Sequence, residues 1–310
     1  MITFGPIPSR RLGRSLGINN IQSKSCSFSC VYCQAGRTDS LDVERRTYFD
    51  PAYVIDQVEA RVAQLKEQGE VVNHLSIVPE GEPTLDLNLG LIIKGLKPLG
   101  VPIAVISNAS LLWMDDVFEE LALADWVSLK VDSTRSSVWH AINRPRRSLD
   151  LDIILSGMLS FAAQYKGHLV SETMVIKDIN DNEEDFLSLA SFLGELQPKT
   201  AYINLPTRPP AERTIATPSE NVVNRSWHIL RSAVDHVEYL LGEEGNSFSS
   251  TGDLREDLLS ITAVHPMRLE AVRELVRKTG SEWVVVEELL AKGYLSTCDY
   301  RGEVYYLRKL

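Results

Sequence analysis

The chain has little cysteine, four residues in 310, and three of the four fall together at Cys26, Cys30 and Cys33. Histidine is nearly as scarce, and the one closest in sequence to those thiols is His74. No apolar run approaches the ~20 residues needed to cross a bilayer. The opening stretch MITFGPIPSRRLGRSLG lacks the apolar segment and small-residue cleavage site of a secretory signal. These absences argue against a membrane partner and a leader, and the expected location is cytoplasmic. Acidic residues are missing from positions 1–38, which carry Arg10, Arg11, Arg14, Lys24 and Arg37. Over the whole chain acids prevail, and a net charge of -10 argues against a general polyanion-binding surface. The basic start reads either as a solvated arm or as a local positive field around the cysteines.

What is present is an alternation of short apolar runs with longer amphipathic segments. The runs are SLGINNI (15–21), NHLSIV (73–78), VPIAVIS (101–107), DWVSLKV (125–131), HLVSETMVI (168–176) and TAYINL (200–205). Most lack in/out alternation, as strands covered on both faces do. Between them, Asp50 is placed to cap a helix opening on Pro51, with Val54, Val58, Val62 and Leu65 forming its apolar stripe and Gly69 beyond its end. Helices are also expected over SLDLDIILSGMLSFAAQYKG, NDNEEDFLSLASFLGELQP and TPSENVVNRSWHILRSAVDHVEYLLG. The last opens with Thr217 and Glu220 in capping-box spacing and should run to about Leu241. Six strand–helix repeats predict an α/β fold with a parallel sheet, either open and doubly wound or a barrel. Ligands then sit beyond the carboxyl ends of the strands, which is where the cysteine loop falls.

Residues 242–252, GEEGNSFSSTG, have the composition of a linker. They divide the chain into an expected main domain, 1–241, and a small unit, 253–310. Three helices and a hairpin turning at Arg301-Gly302 make that unit resemble a winged helix-turn-helix. Its presumed recognition helix bears Glu282, Glu287 and Glu288 against Lys292, and the unit holds ten acids and nine bases. Phosphate binding needs the opposite sign, so DNA is not expected; docking of a protein or peptide, or packing on the core, is. His265 is expected to begin a helix, and Cys298 to serve as a small buried hydrophobe.

Cys26, Cys30 and Cys33 have the spacing C-x3-C-x2-C. An odd count at short spacing in a cytosolic chain disfavours disulfides. Zinc usually takes four closed ligands. A redox pair would use Cys30 and Cys33 and leave Cys26 idle. An iron–sulfur cluster uses all three and, since clusters usually take four thiolates, leaves one iron open to an exogenous ligand. Ligand counting leaves cluster, zinc and redox pair all open.

With Tyr32 just before the last cysteine, this loop resembles that of the radical S-adenosylmethionine (SAM) superfamily. VPEGEPTLD (78–86), VISNASLL (105–112) and SLKVDS (128–133) follow the next strands in the family's order. The resemblance spans about residues 5–240 and implies a partial (β/α)6 TIM-like barrel of parallel strands. It implies that Cys26, Cys30 and Cys33 hold a [4Fe-4S] cluster, and that Gly81 and Glu82, with Pro83 and Thr84, receive the ammonium of SAM. Ser107 and Asn108 fit the next motif, while Ala109 stands where a glycine is usual and Glu80 where a small residue is. Lys130 and Asp132 would meet the SAM carboxylate or ribose, face substrate, or pair with each other.

Within the superfamily the chain resembles the wybutosine-biosynthesis type through PSRRLGRSLGINN, GEPTL, HAINRP (140–145), IKDIND (176–181) and NLPTRPPAE (204–212), without a second cysteine triplet. The implied activity is reductive cleavage of SAM to a 5′-deoxyadenosyl radical that abstracts hydrogen from an unidentified substrate: RNA, a peptide or a small molecule. An external flavodoxin or ferredoxin would supply the electron. Arg144, Arg146 and Arg208 are placed to hold an anionic group. The competing reading is a non-enzymatic zinc- or redox-site adaptor with a protein-docking tail.

Overall fold

A computed structural model describes residues 2–38, 40–240 and 248–309. The chain opens with strands β1 (Thr3–Ser9) and β2 (Gly13–Ile18), then the two-residue strands β3 (Ser25–Cys26) and β4 (Ser40–Leu41). Helix α1 (Pro51–Glu67), β5 (His74–Ile77), α2 (Leu89–Leu96), β6 (Ile103–Ser107), α3 (Asp115–Leu121) and β7 (Trp126–Lys130) follow. Next come α4 (Ser136–Asn143), α5 (Leu151–Gln164), β8 (His168–Met174), α6 (Glu183–Leu196), β9 (Thr200–Asn204), α7 (Glu220–Arg231) and β10 (Val237–Tyr239). The last part holds α8 (Leu254–Val264), β11 (Met267–Arg268), α9 (Leu269–Thr279), α10 (Val284–Ala291), β12 (Leu295–Tyr300) and β13 (Glu303–Arg308). No helix among the described residues is long and apolar enough to cross a membrane.

The main sheet runs β1-β2-β5-β6-β7-β8-β9-β10. β1 is antiparallel to β2, and every later pairing is parallel. All six expected strands are present, and β10 adds one that was expected to be helix. Helix α7 stops at Arg231; Val234, Val237 and Leu240 are buried, and Val237–Tyr239 pair with β9. The expected capping box does not form, because Ser219 is the extended N-cap and the helix begins at Glu220 itself. The capping of α1 is as read: Asp50 accepts from the Ala52 N–H at 2.9 Å, and Gly69 follows at φ 70°. Of its stripe, Val54, Val58 and Leu65 are fully buried. Arg61 is buried on the same helix and donates to the Gly5 carbonyl at 2.9 Å.

The sheet is rolled. Leu12, from the β1–β2 turn, and Leu240, beside β10, meet in one apolar cluster with Ala104, Trp126, Val170 and Tyr202. Both edges of the sheet therefore close on a common floor. Because side chains alternate along a strand, Ser128 and Glu172 come two residues later on the same inward face, and Lys130 and Met174 two later again. The outer face buries the main core against the helices. The architecture is an α/β partial barrel with its loops at the carboxyl end.

The C-terminal elements have a separate apolar core of Phe248, Leu254, Leu258, Ile261, Met267, Val272, Leu289 and neighbours, against which Ile7 of β1 packs. Of the expected linker, residues 242–247 lie outside the described residues. Phe248 and Ser249 are buried, and the Ser249 N–H donates to the Pro6 carbonyl at 3.1 Å, so this part is packed rather than free. These contacts cover an edge strand that would otherwise present open backbone groups. His265 ends α8 rather than starting a helix.

Candidate active site

The cysteine loop leaves the sheet after β2. Its base is tied by the parallel pair β3–β4 and by the Asp42 N–H bonding the Cys26 carbonyl at 2.9 Å. Turns closed by Cys33 N to Cys30 O at 3.1 Å and Gly36 N to Cys33 O at 3.2 Å present the thiols. Cys26, Cys30 and Cys33 are free and line one cavity of about 360 Å³. Among the described residues no three Cys, His, Asp or Glu side chains gather tightly enough to ligate a single ion. The three thiols border one chamber.

Burial pushes all three thiols up: Cys30 to about 12 with the Asp132 charge adding to the effect, Cys26 well above its ordinary value, and Cys33 also upward. N–H groups nevertheless point at the sulfurs. The Phe28 backbone bonds Cys26, those of Ala35 and Gly36 bond Cys33, and the Asn143 amide lies 3.4 Å from Cys30 Sγ. Such donors stabilise thiolates that carry an anionic group.

The loop after β5 lies directly against this one. Lys24 N–H bonds the Glu80 carbonyl at 2.9 Å and Glu82 N–H bonds the Ser25 carbonyl at 3.0 Å. Gly81 is required there, since a Cβ would sit 1.9 Å from the Ser25 oxygen. Glu82 is buried, with its Oε1 accepting from Thr84 N at 3.1 Å, Thr84 Oγ1 at 2.7 Å and Ser107 Oγ at 2.7 Å, and its Oε2 from Asn108 N at 2.7 Å. Burial raises its carboxyl, opposed by those bonds. Oε2 accepts from the Asn108 N–H and has capacity for another donor.

Gly81, Glu82, Ser107, Asn108, Tyr32 and Lys130 line the cavity with the cysteines. Pro83, Thr84 and Asp132 are not among its lining residues. Pro83 and Thr84 start a short 3-10 turn behind the wall, and Asp132 is buried between Tyr32 OH, Asn143 and the Met174 N–H. Asp132 and Lys130 do not pair with each other. Lys130 Nζ lies 5.2 Å from the Tyr32 ring centre and 3.8 Å from Glu172. Ala109 takes φ 60°, so the conformation expected of a glycine there is kept without one. Of the three arginines read from sequence, only Arg208 reaches the cavity, where it donates to Gln34 at 3.0 Å. Arg144 pairs with Glu212, and Arg146 bonds the Leu41 carbonyl.

Several site residues escaped the sequence reading. Glu172, buried in β8, accepts from Ser128 Oγ at 2.6 Å and forms an ion pair with Arg11. Its signal was an acid inside an apolar run. Arg45, with a side chain 3% exposed, donates to the Thr84 carbonyl at 2.9 Å and the Asp86 carbonyl at 2.8 Å and pairs with Asp116 and Glu120. It braces the Glu82 loop from behind, and nothing in its spacing announced that. Val264 and His265 bring the C-terminal elements to the cavity wall.

Comparison with known proteins adds a family. The Radical SAM superfamily description matches residues 21–190. The chain is 42% identical to a UPF0026 protein of Methanocaldococcus jannaschii, over 100% of this chain and 96% of that one. It is 38% identical to a UPF0026 protein of Synechocystis over 68% of this chain and 78% of the relative. A radical SAM methyltransferase from Sphaerobacter thermophilus superposes with a TM-score of 0.53 at 16% identity, over 74% of this chain and 67% of that one, a likeness of fold.

Proposed function

This chain belongs to the radical SAM superfamily, and on that premise we propose that Cys26, Cys30 and Cys33 hold a [4Fe-4S] cluster, with Gly81, Glu82, Ser107 and Asn108 seating SAM beside it. The family is one of enzymes using that cluster and SAM, so the reading as a non-enzymatic adaptor is set aside. The observation that carries the assignment is the shared cavity. Three thiols ringed by N–H donors and a buried carboxylate on the adjoining loop face the same space. Thiols spread around a chamber suit a polynuclear group, and three of them leave one iron position for a ligand from outside.

When bound, the cluster and SAM supply a one-electron cleavage of the sulfonium and a carbon radical able to abstract hydrogen. The protein orients and encloses. Glu82 fixes the loop whose carbonyls and carboxylate accept an ammonium's donors. Tyr32, held by Asp132, forms the wall toward Lys130 and Glu172, and the substrate sits on that side. The electron comes from an external flavodoxin- or ferredoxin-type protein in the cytoplasm. Residues 253–310 act as a winged-helix-like unit closing the flank of the barrel.

Anaerobic reconstitution with iron and sulfide tests the assignment. The expected result is a brown protein with about four irons per chain that yields 5′-deoxyadenosine from SAM and dithionite. A colourless protein inert toward SAM would overturn it. Comparison of nucleosides and metabolites between a deletion strain and its parent then identifies the substrate.

A further inference from the structure

The HAINRP stretch (140–145) backs the cysteine loop from the end of α4. Helix α4 ends with Asn143, and Arg144 turns the chain back at φ 46° and ψ 60°. The segment then runs antiparallel along the cysteine loop. Ser29 N–H bonds the Asn143 carbonyl at 3.0 Å, Val31 N–H the Ile142 carbonyl at 2.9 Å, and Arg146 N–H the Ser27 carbonyl at 2.9 Å, with Phe28 opposite Pro145. Phe28 packs edge-on against Trp139 at 5.7 Å. The cysteine loop and the turn after α4 thus form a short irregular ribbon through the single Phe28–Pro145 bridge, with the carbonyls at the end of α4 accepting from the loop.

Within that ribbon Asn143 is 2% exposed, and its amide nitrogen lies 2.7 Å from Asp132 Oδ2 and 3.4 Å from Cys30 Sγ. An amide has two N–H groups, and here both acceptors lie on the nitrogen side. Reversing the amide would set its oxygen against a carboxylate and a sulfur, so the orientation is fixed by its neighbours. Asp132 is itself held by the Met174 N–H at 2.8 Å and by Tyr32 OH. Asn143 therefore stands between a buried carboxylate and a sulfur, donating to each.

We propose that Asn143 is a positioning residue that fixes the Cys30 sulfur and raises the reduction potential of the cluster it carries. The inference rests on the cluster assignment above. Hydrogen bonds to cluster sulfurs favour the reduced, more negative state, and neighbours of a metal ligand tune it through such contacts. Asp132 acts in the opposite sense, since a carboxylate beside the cluster disfavours added negative charge. The two residues form an opposed pair, with Asn143 in hydrogen-bond contact with the sulfur.

The test is a dithionite titration of the reconstituted full chain, followed by electron paramagnetic resonance, with iron content measured alongside. Asn143→Leu, with the same branching but larger and without donors, is expected to load iron and to shift the midpoint negative. At the wild-type midpoint its reduced-to-oxidised ratio should fall about fivefold, the equivalent of one net hydrogen bond. Asp132→Asn should shift the midpoint the other way. Loaded variants with an unmoved midpoint would overturn the proposal while leaving the cluster assignment standing. Should Asn143→Leu fail to hold iron, Asp132→Asn decides by sign, and no positive shift overturns the proposal. A wild-type chain that takes up no iron would overturn both readings.

Discussion

The cysteine-loop side of the barrel and its C-terminal flank are built differently. On the first side, loops that would be mobile alone are locked by buried polar side chains, each making several bonds: Glu82 four, Arg45 with two carbonyls and two carboxylates, Asp132 with three donors. The C-terminal elements stand on their own apolar core and meet the barrel through Ile7 and polar ties. Glu70 receives Lys278 at 2.9 Å and also Arg14, and Tyr300 OH bonds the Pro206 carbonyl at 2.7 Å. The contrast is between loops tied by many buried polar bonds and a flank that meets the barrel through few contacts. Groups that orient a cofactor need supporting contacts around them.

The largest effect that would sharpen the contrast comes from Cys30→Ala, expected to abolish both iron retention and 5′-deoxyadenosine formation, checked by iron assay and chromatography. Unchanged activity would break the ligand assignment. Glu82→Gln keeps the shape but sets an amide against the Asn108 N–H. Calorimetry should show SAM binding at least ~tenfold weaker, the loss of about one charged hydrogen bond, with iron content unchanged.

Arg45→Met leaves Glu120 and the Thr84 and Asp86 carbonyls without their donor, while half-exposed Asp116 stays solvated. Thermal or denaturant unfolding should register a loss of about 2 kcal/mol, as for buried acceptors left unsatisfied, and a cofactor side indifferent to it would refute the locked-loop account. The smallest effect is expected on the flank. Glu70→Gln should cost less than ~1 kcal/mol and show as faster hydrogen exchange in β1 and α8. The Lys278 hydrogen bond holds the Glu70 carboxyl below its usual range, with Arg14 adding to the effect. This tie therefore contributes above the ordinary glutamate pKa and fades as pH falls through the lowered folded value. The exchange difference between wild type and variant should shrink at acid pH.

Much of this was legible in the sequence because it was written in local signals. Six strands announced themselves as apolar runs, and the thiols, the GEPTL loop and the Ser107-Asn108 turn appeared in chain order. What stayed hidden depends on contacts distant in sequence. β1 contains Pro6 and Pro8, which an edge strand tolerates and a sequence reading discounts. β10 sits at the end of a helical pattern, and only its pairing with β9 makes it a strand. The bonds of Arg45 to Thr84, Glu172 to Ser128 and Asn143 to Cys30 span 39, 44 and 113 residues, and no periodicity reports such reach. Arg144 and Arg146 show the converse: basic residues in the right loops, already engaged elsewhere.

The meeting of Leu12 with Leu240 on the barrel floor bears on how the molecule is made. The thiols border the same chamber as Leu12 and Leu240, so the space beside them is enclosed only when both edges of the sheet are in place. A fragment ending before β10 would keep all three cysteines and lose the Leu240 part of the wall.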